Sequence, residues 1–95
     1  MPEMHFRLRW PDGRAELCYS PSLVIKEHLS VGQSYDLADF LGRARRALLI
    51  ASDRVKAKHG HPCSRALAQL ARIEELCARF DGRADARVNI ESFDE

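Results

Sequence analysis

His59-Gly60-His61-Pro62-Cys63 gathers two imidazoles and a thiol, ligand types suited to zinc or copper, within five residues. These three side chains are the metal-ligand candidates of the chain. A tetrahedral shell needs a fourth ligand, and no second Cys or His pair follows at finger-like spacing, so His5 or His28 could complete it only if the fold carried them there. The same residues also have a purely structural reading. His59 continues the helical stripe of Leu48 and Val55, Lys58 and His59 suit a helix C-terminus, Gly60 suits the position after it, and Cys63 opens the next apolar stripe.

Arg65, Arg72 and Arg79 recur every seven residues, opposite an apolar stripe, and form a row spaced roughly 10 Å apart by the helical rise. Such a row could track phosphates, which makes these residues the nucleic-acid candidates. Glu75 lies at helical spacing from both Arg72 and Arg79, and no aromatic interleaves for base stacking, so the row reads better as a solvated face. Cys18 sits among His5, Arg7 and Arg9 if all four share a strand face, where neighbouring cations would favour a thiolate. No Gly-rich phosphate loop, nucleophile elbow or His-Glu-x-x-His occurs, so no catalytic residue and no cofactor are named, and the balance leans away from an enzyme. Tyr35, in Gly32-Gln33-Ser34-Tyr35, and Leu49 and Ile50, which fall off the second helix's main apolar stripe, are the candidates for a partner surface.

The elements that must position these groups follow from periodicity. Met4, Phe6, Leu8 and Trp10 alternate with His5, Arg7 and Arg9, the pattern of a half-buried strand. Pro11-Asp12-Gly13 is a turn signal, and residues 14–19 alternate again, giving a hairpin. A four-residue connection, Pro11 to Arg14, would set Leu8 against Leu17, Phe6 against Tyr19 and Arg9 against Glu16. Ser20 as N-cap and Pro21 at the first helical position predict about two helical turns before Gly32. Asp36 caps a long amphipathic helix ending at Gly60, and a second runs from Cys63 to Phe80, the pair folding back as a helical hairpin. Residues 86–93 alternate as a third strand. The fold expected is α+β: a small antiparallel sheet of order 2-1-3, packed on one face by a short helix and the helical hairpin.

Composition bounds the rest. Ninety-five residues suffice for one domain, 1–95, and 45% hydrophobic with 31% charged residues is the make-up of a globule. A net charge of +1 gives no reason to expect a polyanionic partner. The longest apolar run, Ala47 to Ala51, is far short of the ~20 residues of a membrane span. The start, Met1 to His5, lacks basic and apolar leader segments, so a cytoplasmic location is expected, with the three cysteines as free thiols.

The phrases Arg9-Trp10-Pro11-Asp12-Gly13, Cys18-Tyr19-Ser20-Pro21-Ser22, Gly32-Gln33-Ser34-Tyr35 and Cys63-Ser64-Arg65-Ala66-Leu67 resemble, in this order, a family of small bacterial proteins of the nitrogen starvation response. Members are encoded near a nitrilase, an acetyltransferase and a radical-SAM protein, and no catalytic residues come with the resemblance. The resemblance implies a pathway, nitrogen scavenging from nitrile-like compounds, and leaves the molecular activity open. Together with the absent catalytic motifs and the balanced charge, it supports an accessory or regulatory protein acting by protein contacts, with an enzyme of the nitrilase cluster as partner and a homo-oligomer also open. The alternatives are a metal protein or enzyme using His59, His61 and Cys63, and nucleic-acid binding through Arg65, Arg72 and Arg79.

Overall fold

In the computed structural model, residues 3–83 and 85–95 are described; Met1 and Pro2, read above as a leaderless start, lie outside them. Strand β1 (Met4–Arg9) buries Met4, Phe6 and Leu8, with Trp10 following, and turns His5, Arg7 and Arg9 to the other side, as the alternation requires. It pairs antiparallel with β2 (Ala15–Ser20). The register differs from the expected one: Phe6 lies opposite Cys18, Leu8 opposite Glu16 and Arg9 opposite Ala15.

The connection explains the shift. Trp10 N–H donates to the Arg14 carbonyl at 2.8 Å, so the loop holds three residues, Pro11-Asp12-Gly13, and not four. Gly13 takes φ 90° and donates its N–H to the Trp10 carbonyl at 2.9 Å, the turn-plus-bulge geometry of three-residue hairpins. The Asp12 carboxylate accepts the Arg14 N–H at 3.0 Å, and this bond holds its carboxyl below the usual carboxylate range. One residue fewer in the loop reverses the parity of β2. Cys18 turns into the core and Leu17 turns out.

The segment after β2 also departs from expectation. Ser20 ends the strand and caps no helix: its buried hydroxyl donates to the Ser22 carbonyl at 2.7 Å and accepts the Ser22 N–H. Tight turns at Leu23 and Val24 then lead into α1 (Ile25–His28), a single turn of helix. From Gly32 the chain already runs beside the last strand, with Gly32 N–H donating to the Ile90 carbonyl and Ile90 N–H to the Gln33 carbonyl. This leads into β3 (Ser34–Asp36), a fourth strand of three residues, too short to show a period in the sequence.

Asp36 then caps α2 (Leu37–His59), accepting the Asp39 N–H at 2.9 Å, and Gly60, at φ 85°, closes it by donating to the Lys56 carbonyl. Helix α3 (Ser64–Arg79) returns antiparallel, and β4 (Arg87–Asp94) closes the sheet. The strand order is β2-β1-β4-β3, all antiparallel. The α+β class stands, while the expected three-strand order 2-1-3 gains β3 on the far edge of the C-terminal strand. All three helices lie on one side, where Phe6, Leu8, Val88 and Ile90 meet Phe40, Ala44, Leu48 and Ile73 in a continuous core. At one end Trp10 sits edge-on to Phe40 at 5.8 Å and stacks on Phe80 at 6.1 Å, tying the hairpin to the start of α2 and the end of α3.

Two glycines test this account. A Cβ at Gly13 meets no neighbour, so Gly13→Ala should lose about 1 kcal/mol through backbone strain alone. Gly42, inside α2 and equally unobstructed, should gain about 0.5–1 kcal/mol on substitution by Ala. Urea unfolding of both variants reads the opposite signs.

Candidate functional site

With the helices on one side, no element among the described residues covers the other face of the four-stranded sheet. Its side chains are fixed by register. His5, Arg7 and Arg9 of β1 lie opposite Tyr19, Leu17 and Ala15 of β2 on one side, and opposite Asp94, Ser92 and Asn89 of β4 on the other. Leu17, at 52% exposure, is the most exposed large apolar residue among those described. The β1–β4 ladder slips between Arg7 and Leu8, making Glu91 the extra residue of a bulge, and its carboxylate accepts from Arg9 Nε at 2.7 Å. Arg87 donates to the Ser34 hydroxyl and carbonyl, both at 2.8 Å. Among the described residues Arg7 meets no carboxylate at ion-pair distance, so it presents an unneutralised guanidinium beside Leu17.

The nucleic-acid candidates lie on the flank of α3 facing the β2 edge. Arg72 holds the Glu16 carboxylate with two bonds of 3.2 and 3.3 Å. Arg65 stacks over the Tyr19 ring at 3.9 Å and lies 3.8 Å from Glu3, while Arg79 pairs with Glu75 at 2.9 Å along its own helix. Each guanidinium of the row is thus engaged within the chain. Gln69, between them, accepts the Tyr19 N–H at 2.9 Å and covers the outer edge of β2.

The metal candidates sit at the elbow of the helical hairpin. His59 ends α2, His61 is exposed in the connection, and Cys63 is half-buried, donating its backbone N–H to the Ser52 hydroxyl at 3.2 Å. Among the described residues no three His, Cys, Asp or Glu side chains converge to hold a metal ion. Of the partner-surface candidates, Tyr35 is the centre of β3: its hydroxyl accepts the Ser30 N–H at 2.9 Å, and Arg43 lies over its ring at 5.0 Å. Leu49 and Ile50 are exposed on α2, at 43% and 37%.

The expectation that Cys18 shares a face with Arg7 and Arg9 is corrected by the three-residue loop: it faces inward and is fully buried. Burial, with Glu16 adding to it, pushes its thiol far above the ordinary range, the reverse of an activated thiolate. Cys77 is pushed up to about 11, chiefly by burial.

A layer of three helices on one face of a four-stranded antiparallel sheet, with a patterned open face, defines a small open-faced α+β protein. The sequence profile of the nitrogen starvation-induced protein NitG family matches residues 5–93, and the chain belongs to that family. No curated protein and no solved structure matches it. No helix among the described residues is long and apolar enough to cross a membrane.

The thiols supply a test of the corrected register. A disulfide reagent at pH 8 should titrate Cys63 promptly and leave Cys18 and Cys77 unlabelled until the chain unfolds. Because the folded state holds these two as thiols, the unfolded state releases protons first. Stability should therefore be level below the ordinary thiol value of 9.0 and fall as pH rises toward about 11, followed by urea midpoints across that range. Prompt labelling of Cys18 in the folded protein would contradict its inward orientation.

Proposed function

We propose that this protein is a cytoplasmic accessory or regulatory component of the bacterial nitrogen starvation response, working through protein contacts made by its open sheet face. The observation that carries the reading is the pairing of Arg7 with Leu17 on that face: an unneutralised guanidinium on β1 beside an exposed leucine on the edge strand β2. An exposed apolar side chain beside an unneutralised cation suits an acidic protein surface with an apolar centre, since charge complementarity orients the encounter while burial of the leucine slows dissociation. The occupant we assign is the nitrilase encoded beside members of this family.

The experiment is co-expression of the chain with that nitrilase, co-purification, and calorimetric titration of the purified pair. Arg7→Thr combined with Leu17→Thr alters only outward-facing positions and keeps strand-forming residues with no like charges across the ladder, so its unfolding midpoint should stay close to the parent's while binding weakens at least about tenfold. Equal binding by parent and double variant would remove the open face from the interaction. No binding to the nitrilase would overturn the assigned partner.

A further inference from the structure

We propose that the cleft between the first turns of α2 and the last turns of α3 binds a small zwitterion with an apolar body, of the class of the neutral apolar α-amino acids. This inference uses a different part of the molecule from the open sheet face and stands independently of it. The cleft encloses about 530 Å³, within the range of small-molecule sites. Its apolar lining comes from Leu37 and Leu41 of α2, Cys77 of α3 and Phe80 just beyond it. All four either belong to the core or pack against it, so the surface they present is fixed before any ligand arrives.

The rim carries both signs of charge. Arg45 and Glu74 pair at 2.9 Å across the helical hairpin and form one neutral wall. Three other charges are not matched in this way. Asp36 spends one carboxylate oxygen on the Asp39 N–H, and among the described residues its second oxygen accepts from no protein donor. Asp81 has no protein donor among them either, and Arg83 lies over the Phe80 ring at 5.4 Å without a carboxylate partner. Asp36 already caps the positive end of α2, whereas Asp81 lies just past the negative end of α3, where a cation is favoured.

A simple amine would leave Arg83 unmatched, and a simple carboxylate would meet two like charges. A zwitterion satisfies both, with its carboxylate on Arg83, its ammonium on Asp81, and its side chain on the Leu37, Leu41 and Phe80 floor. Hydrogen bonds to ionised partners are the strong ones, so each charged end should contribute separately to affinity.

The test is titration of ¹⁵N-labelled protein with L-leucine and with L-phenylalanine. We compare the leucine series with 3-methylbutylamine and 4-methylpentanoate, which lack its carboxylate and its ammonium respectively. Saturable shifts should appear at the amides of Leu37, Ala38 and Gly82, and each truncated analogue should bind at least about tenfold more weakly than leucine. Arg83→Gln should weaken leucine by a similar factor and leave 3-methylbutylamine unchanged, which separates loss of the carboxylate contact from general damage. Leu41→Trp fills the cleft and should abolish the shifts while its unfolding midpoint reports an intact fold. The proposal is overturned if neither amino acid gives saturable shifts by about 10 mM. It is equally overturned if an analogue matches leucine, if Arg83→Gln leaves leucine affinity untouched, or if the shifts map away from the cleft.

Discussion

The parity of the first hairpin is set by three residues, Pro11-Asp12-Gly13, and much of the molecule depends on it. Pro11 contributes a fixed φ and needs no N–H there, Asp12 ties back to Arg14, and Gly13 takes the left-handed conformation that closes the loop at three residues. With that count, Cys18 goes under the helices and Leu17 goes to the open face. A fourth loop residue would exchange them, placing Leu17 in the core and leaving Cys18 among the arginines. The same parity sets Glu16 beside the core at the edge of the sheet, where Arg72 reaches it from α3. A carboxylate in that position is tolerable because it keeps some exposure to solvent and is bidentately held.

The charged side chains distribute themselves so that the edges of the sheet are closed and its face is not. On the β2 edge, Gln69, Arg65 and Arg72 cover the strand from α3. On the other edge, β3 is only three residues long, and Arg87 ties it to β4. Short or covered edges resist strand addition, so contacts made by this protein through its sheet fall to the face. Exposed ion pairs of this kind add little stability singly. Their effect is on geometry: Arg65 and Arg72 of α3 are directed to the β2 edge, Arg79 is held along its own helix, and Arg7 and Arg87 are left on the open face without a carboxylate partner among the described residues.

The residues show unequally well in the sequence. The two long helices were legible because twenty or so residues of three-and-four periodicity, bounded by Asp36 and Gly60, leave one consistent reading. β1 and β4 were legible by alternation. β3 was not, because three residues carry no period and Asp36 was already accounted for as a helix cap. α1 is shorter than its sequence suggests, since Ser20 and Pro21 form a cap-like pair that the structure uses to leave the sheet. For the sites, the arginine row was visible as a spacing, but its partners Glu16, Glu3 and Tyr19 come from distant parts of the chain. The cleft between α2 and α3 had no sequence signal, because its charges come from separate elements and acquire meaning only when brought around one apolar floor.

By itself the sequence determined the class of fold, the helical hairpin, the family and the apolar stripes. These rest on local repetition, which is read along the chain and survives small errors in placement. Only the tertiary structure decided which side of β2 is buried, where the fourth strand lies and which arginines remain unneutralised. A sheet reverses its faces with one residue of loop, and a salt bridge depends on two backbones meeting. Neither is written in a spacing along the chain.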